Sequence, residues 1–302
     1  MPDWQKPRHE ARRVDWTRRS VLRAFSALGL LAIPATVMAA SPGLPPLRFG
    51  LTPVFLDSDT ELLGALERYL TGRLARPVAL VKRRTYQEIT TLLLTGQVDA
   101  AWICGFPFVQ FRDQLSLVAV PVYRSRPLYQ SYVIVQAGDA AADLDGARGH
   151  VHAFSDPDSN SGFLVTRYLL ATRKETPASF FRRSFFTYGH RNVVRAVASG
   201  LAQSGSVDGY VWDVMAETEP TLVAGTRVLH RSEWLGFPPI ACLAGRRDSP
   251  EIQELRKALL AMPEDPVGRE VLRTLRLDGF DTAAPSLFDA IAAMSDFVKA
   301  HA

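Results

Sequence analysis

The chain has 302 residues, 47% of them hydrophobic, with 35 Lys and Arg against 31 Asp and Glu and a formal net charge of +4. Seven of the basic groups and three of the acidic ones fall in the first 40 residues, so the remainder carries 28 of each and is neutral, which gives no support to a nucleic-acid or anionic-membrane partner. Two cysteines, Cys104 and Cys242, are too few for a disulfide scaffold, a zinc cluster or an iron–sulfur cluster, and no cofactor is expected.

In chain order, the first feature is Thr17-Arg18-Arg19-Ser20-Val21-Leu22-Arg23, a close match to the twin-arginine export signature. An apolar run from Ala24 to Val37 follows, then small residues at Met38-Ala39-Ala40-Ser41. A basic segment, an apolar segment and a small-residue cleavage site read as a secretory leader over residues 1–40, cut near Ala39 or Ala40. Pro34 interrupts the apolar run, which is short for a membrane span. The expectation is a periplasmic protein, probed first by the twin-arginine machinery, which reads such signals as addresses and not as anchors.

After the linker at 41–46 the chain alternates short apolar runs with amphipathic stretches. Residues 47–51 read as a strand, 60–74 as a helix with apolar residues at three- and four-residue spacing, 78–81 as a strand, 86–94 as a helix and 99–103 as a strand. The rhythm restarts with strand 151–154, helix 162–171, strand 184–187, helix 192–201 and strand 209–212. Such a series implies sheets of mostly parallel strands flanked by helices. A short echo joins the two halves: Gly96-Gln97-Val98-Asp99 before one strand, and Gly200 with Val207-Asp208 before the other. The runs 129–135 and 238–244 read as crossings between two lobes, with helices 250–260, 267–275 and 286–299 after them. The expected plan is lobe 1 from residues 45–130 plus 240–302 and lobe 2 from 131–239, with a ligand cleft between them. A return strand pairing antiparallel with 99–103 would bring Cys104 near Cys242, and a disulfide between them is one reading, two separate buried thiols the other.

The sharpest candidate site is Ser155-Asp156-Pro157-Asp158-Ser159-Asn160-Ser161-Gly162, between a strand and a helix. Hydroxyls and free N–H groups at a helix start suit an oxyanion, and Gly162 allows close approach. The same residues also satisfy a helix cap preceded by an Asp-Pro turn, and both readings stand on pattern alone. His190, at another strand-to-helix turn, reads as a hydrogen-bond donor to an anion, whose titration would tune affinity, or as a capping residue. Thr52 and Trp102 follow strands that face the expected crevice, Tyr132 lies on a crossing, and Asp213 can accept a hydrogen bond from a ligand proton or amine. No nucleophile elbow, zinc helix or phosphate loop is present.

The segment from Phe154 through Leu169 resembles the Asp-Pro-x-Ser-x-Ser-Gly signature of the phosphate/phosphite/phosphonate-binding solute receptors of ABC transporters. Phe49-Gly50-Leu51-Thr52-Pro53-Val54, Val98-Asp99-Ala100-Ala101-Trp102, Phe180-Phe181-Arg182-Arg183 and Asp278-Gly279-Phe280 fall in the family's order. The resemblance spans residues 47–290 and implies a type II periplasmic binding protein, two α/β lobes joined by two crossing strands. It implies capture of a small phosphorus oxyanion (phosphonate, phosphite or phosphate) by Ser159, Asn160, Ser161 and the following N–H groups, with His190 opposite. It implies a monomer that hands its ligand to an ABC permease or reports it to a sensor kinase; an exported enzyme of related fold is the rival. Asn160 stands where many members have Thr, the loop Trp102-Ile103-Cys104-Gly105-Phe106-Pro107 differs from the commoner Leu-Gly-Pro version, and Phe237-Pro238-Pro239 lacks an acidic residue found there in some phosphonate binders.

Overall fold

Strands β1 (Leu47–Leu51), β2 (Val78–Lys82) and β3 (Ala100–Trp102) form from the three apolar runs of the first half, joined by helices Thr60–Leu74 and Tyr86–Leu94. The computed structural model describes residues 44–53 and 60–301; the export signature, apolar run and cleavage site lie outside the described residues. Strands β4 (Leu115–Val122), β5 (Leu128–Tyr129) and β6 (Ser131–Gln136) follow, then β7 (Val151–Phe154), β8 (Arg183–Phe186), β9 (Ser204–Asp208) and β10 (Thr226–Arg231). The last are β11 (Leu235–Gly236), β12 (Ile240–Leu243) and β13 (Gly279–Asp281).

These strands make a six-stranded sheet in the order β13-β4-β12-β3-β1-β2 and a five-stranded sheet in the order β10-β6-β9-β7-β8. In the first, β1 runs parallel to β2 and β3, while the returning β12 lies antiparallel between β3 and β4. In the second, β7 runs parallel to β8 and β9, and β6 is the antiparallel member beside β9. The two sheets are therefore mixed: β12 and the edge strand β13 run against the common direction in the first, and β6 does so in the second. Between them β5 and β11 pair antiparallel as a separate two-stranded ribbon. Trp102 anchors that ribbon, donating its indole N–H to the carbonyl of Pro238 at 2.9 Å and packing edge-on to Phe280. The C-terminal helix Asp289–Ala300 packs on helix Gly105–Gln110 of the first half and on helix Val165–Ala171 of the second.

The internal echo is real, but its register differs from the expected one. Asp99 donates its N–H to the Arg48 carbonyl and accepts from the Arg48 N–H at 2.7 Å. Gln203 does the same with Val151: its N–H meets the Val151 carbonyl at 2.9 Å and its side-chain oxygen the Val151 N–H at 3.0 Å. Gly96 and Gly200, three residues earlier in each case, both take the left-handed conformation that ends the preceding helix. The equivalent of Asp99 is thus Gln203, with nothing inserted, and Asp208 ends its strand where Asp99 begins one. Residues 209–212 are accordingly no strand. Asp208 caps helix Gly209–Thr218, its carboxylate accepting from the N–H groups of Tyr210 and Val211. Helix His190–Ala198 likewise starts two residues earlier than its apolar pattern suggests.

The antiparallel return strand is present, yet the disulfide is not. Ile240 lies opposite Trp102 and Ala241 opposite Ala101. That register carries Cys242 to Ala100's level while Cys104 continues the other way, an offset of four positions or about 13 Å along the strands. Such a separation exceeds any disulfide, and both cysteines are buried free thiols.

Asp99 ties three segments together, since Arg246, just beyond β12, also reaches its carboxylate at 2.6 Å. Burial would raise the Asp99 pKa, but the Arg48 hydrogen bonds and the Arg246 guanidinium outweigh it and hold the carboxyl below its usual range. A depressed carboxylate contributes stability above its unfolded pKa and loses that contribution as pH falls through the folded value. Asp99→Ala should therefore cost about 2 kcal/mol at neutral pH and flatten the acid limb of the stability profile. Gln203→Ala should cost about 1 kcal/mol with no pH dependence. Urea unfolding of both variants across pH 3–7 checks this, and equal, pH-independent losses would refute the charge-assisted role of Asp99.

Candidate ligand-binding site

Two helix starts meet where the sheets face each other. Thr85 caps helix Tyr86–Leu94 in a capping box with Glu88, which fixes Tyr86 as the first helical residue. The N–H of Tyr86, one of the donors that a helix leaves unpaired, donates across the cleft to Asp156 Oδ2 at 3.2 Å. The Tyr86 hydroxyl lies 3.1 Å from Nε2 of His190, the first residue of the helix on the other side. Nδ1 of His190 accepts the N–H of Asp208 at 3.0 Å, so the neutral ring carries its proton on Nε2 and donates it to Tyr86. Burial pushes the His190 pKa down to about 3. The expected titration near the ordinary histidine range is therefore absent, and any pH effect of this ring lies far below neutrality.

The Asp-Pro loop supplies the rest. Asp156 Oδ1 accepts the N–H of Asp158 at 2.8 Å, closing a tight turn before Ser159. Ser159 caps a single wide turn, Asn160–Leu164, whose N–H to carbonyl bonds span five residues. Wide turns of this kind insert an extra residue and re-aim the side chains around them. Gly162 is required here: a Cβ would lie 1.8 Å from the Ser155 hydroxyl. Its N–H donates to Ser159 Oγ at 3.0 Å, so the room at Gly162 is filled by Ser155 and its N–H serves the cap, not a ligand.

Asn160 is wholly buried, with its N–H directed at the Cys104 sulfur at 3.2 Å and its side-chain NH2 donating to the Tyr129 hydroxyl at 2.8 Å. The Ser161 carbonyl accepts from Ser131 Oγ at 2.6 Å. Two buried polar atoms of this loop, Asn160 Oδ1 and Ser155 Oγ, have no hydrogen-bond partner among the described residues. Burial raises the Tyr86 and Tyr129 pKa values, pushes Cys104 up to about 12 and pushes Asp208 up to about 7. The cluster is thus a buried, hydroxyl- and amide-rich set of directed groups beside the cavity that Thr52 and Thr85 line.

Of the residues singled out in the sequence, Ser159, Asn160, Ser161 and His190 come together here. Thr52 is buried at the end of β1 and lines an adjoining cavity of about 920 Å³ with Thr85, Tyr188, Gly189 and Asn192. Trp102 turns toward the hinge ribbon instead. Tyr132 and Asp213 line a different cavity, about 260 Å³, with Tyr123, Arg124, Tyr210 and Arg231. Asp213 is engaged there by Arg124 at 2.9 Å and by the Tyr123 hydroxyl at 3.3 Å. Their placement follows from helix Gly209–Thr218, which turns Asp213 one way around a helix where a strand would have sent it another. Asp156 belongs to the candidate Asp-Pro segment, whereas Tyr86, Tyr129 and Asp208 are not among the sequence candidates for the site; the Thr85–Glu88 capping box is the available signal for Tyr86.

Asp208 gives this arrangement a pH signature. Its folded pKa is raised, so its contribution is full below the unfolded carboxylate value and is lost as pH rises through about 7. Asp208→Asn keeps the helix cap and cannot ionise. Relative to the parent, that variant should gain stability with rising pH by up to about 1.4 kcal/mol per unit between about pH 4 and 7. Denaturant titrations at pH 5 and 7.5 measure the difference; a gap that does not change with pH would refute a buried, raised carboxyl.

A family model described as the phosphonate periplasmic substrate-binding protein of ABC transporters matches residues 49–288. Among solved structures, the chain is similar to a binding protein component of an ABC phosphonate transporter from Pseudomonas aeruginosa, with 19% identity over 85% of this chain and 87% of that one and a TM-score of 0.78. PhnD1 from Prochlorococcus marinus, solved in complex with methylphosphonate, is 16% identical over 84% of this chain and 98% of its own, with a TM-score of 0.75. The alkanesulfonate-binding protein SsuA from Xanthomonas axonopodis, bound to MOPS, shares 18% over 87% and 94% with a TM-score of 0.59. The structural likenesses establish the two-lobed fold of type II periplasmic binding proteins, and the family match covers most of the chain. This chain belongs to the phosphonate-binding family of periplasmic substrate-binding proteins of ABC transporters.

Proposed function

We propose that this protein captures a small phosphonate between its lobes through Ser159, Asn160, Ser161, Tyr86, Tyr129 and His190, and passes it unchanged to an ABC permease. The lobes are taken as residues 45–130 plus 240–302 and residues 131–239. The observation that carries the reading is the interlobe contact of Tyr86 with His190 and Asp156, set beside a loop of buried hydroxyl and amide groups. A cleft of this kind binds by exchanging the water around an oxyanion for directed O–H and N–H donors as the lobes close. The groups sit in hydrogen bonds to one another, with no nucleophile and base poised together, which favours binding over turnover. Phosphite and phosphate are smaller members of the same ligand class. Export by the twin-arginine route, cleavage near Ala39 or Ala40, and a monomeric mature form complete the proposal. Methylphosphonate, the ligand of PhnD1, is the natural probe.

Methylphosphonate at a hundredfold excess over its Kd should raise the unfolding free energy by about 2.7 kcal/mol, read as a higher Tm, with no phosphate released on prolonged incubation. Ser161→Ala should remain folded and bind more weakly by about 1.5–3 kcal/mol in calorimetric titration. An unchanged Tm across methylphosphonate, phosphite and phosphate would overturn the proposal, and unchanged affinity in Ser161→Ala would remove that residue from the site.

A further inference from the structure

Asn160 brings a feature to this site that a hydroxyl residue would not. Its NH2 is committed to Tyr129, which leaves Oδ1 as a fully buried acceptor without a partner among the described residues. A buried carbonyl oxygen left unpaired is costly, and only a donor relieves it. No donor among the described residues reaches it. Asn160's own N–H points at Cys104, and the Ser131 hydroxyl serves the Ser161 carbonyl.

The charge of the cluster points the same way. None of the residues whose polar atoms compose it is Lys or Arg. From the helix after β2 comes Tyr86, from the loop after β3 Cys104, from β5 Tyr129, from the Asp-Pro loop Asp156, from the start of helix His190–Ala198 His190, and from the end of β9 Asp208. His190 stays neutral, and burial raises the pKa of both carboxyls, so none of these groups supplies positive charge. The nearest arginine in sequence, Arg191, pairs with Glu219 and lines the outer cavity. Lys82, Arg83 and Arg84 line that cavity as well, so these cations stand outside the cluster; within it, a monoanion with a proton to donate would meet the orphaned acceptor.

We infer that Asn160 Oδ1 accepts a hydrogen bond from the P–OH of the bound ligand, so that the site takes a phosphonate as its protonated monoanion and rejects an isosteric sulfonate, which has no proton to give. This rests on the proposed phosphonate site and adds a selection rule to it. Methylphosphonate and methanesulfonate have the same shape, and at neutral pH or below both are monoanions, so they differ chiefly in that proton.

Calorimetric titration of the full-length protein with each, at pH 6 and pH 9, tests the rule. The parent should bind methylphosphonate at least tenfold more tightly than methanesulfonate at pH 6. The methylphosphonate affinity should fall at pH 9, where the ligand is a dianion, and the fall should persist in Asp208→Asn, which separates ligand ionisation from that of Asp208. Asn160→Leu should lose methylphosphonate affinity and leave the methanesulfonate affinity in place, narrowing the gap. Asn160→Thr, whose hydroxyl can donate to either anion, should narrow it too and guards against misfolding of the leucine variant. Equal binding of the two ligands by the parent, or equal loss of both in Asn160→Leu and Asn160→Thr, would overturn the inference and leave the phosphonate site standing. No methylphosphonate binding at either pH would overturn the site and the inference together.

Discussion

Tyr86 occupies the first turn of its helix, and that position gives it two polar groups to offer across the cleft. Its N–H reaches Asp156 and its hydroxyl reaches His190, each on the opposite side. Closing a polar cleft removes water from every group inside it, and each group left unpaired costs about 1–3 kcal/mol. The chain answers with helix starts, because only there are backbone donors free of the helix's own hydrogen bonds. The capping box that places Tyr86, the cap that Asp208 provides and the wide turn after Ser159 are three versions of the same solution. Together they let nearly all of a buried polar cluster pair internally, and Asn160 Oδ1 and Ser155 Oγ are the atoms of its loop left without a partner among the described residues.

The alternation of apolar and amphipathic runs made β1, β2, β7 and the helices Thr60–Leu74, Tyr86–Leu94 and Pro250–Leu260 legible, because each is a local pattern of sufficient length. Five strands escaped that pattern, β4, β9, β10, β11 and β13. β4, β10 and β13 gain their order from distant partners: β4 lies between β12 and β13, and β10 beside β6. The run 209–212 misled for a clearer reason. Its apolar composition fits a strand, but Asp208 before Gly209 is also a helix cap, and the tertiary position of Asp208 decided between them. At the site, the Asp-Pro-x-Ser-x-Ser-Gly segment was readable since its chemistry is contiguous. Tyr86, Tyr129 and Asp208 are spread over more than a hundred positions, and only folding gathers them.

Burial also changed what the readable residues do. His190 was visible as a histidine at a helix start, yet its environment removes the titration that makes histidine distinctive. Gly162 was visible as a permissive position, yet the space it leaves is taken by Ser155. In both cases the sequence identified the place, and the surrounding packing determined the role.

The position of β12 has a consequence for assembly. It lies between β3 and β4, so the centre of the first sheet is filled by residues 240–243, synthesised after the entire second sheet. Until they arrive, the facing edges of β3 and β4 carry unpaired backbone groups, the kind of exposed edge that recruits other chains. The first half cannot reach its native state as an independent unit, although the second sheet, β6 to β10, is continuous in sequence and needs no later strand. Emergence from the ribosome therefore favours completion of the inner segment first, with the outer one held open until its last central strand is delivered. A nascent chain stalled before residue 240 would be a folded inner lobe attached to an aggregation-prone half sheet, which makes the span between the two halves the stretch where a chaperone has most to protect.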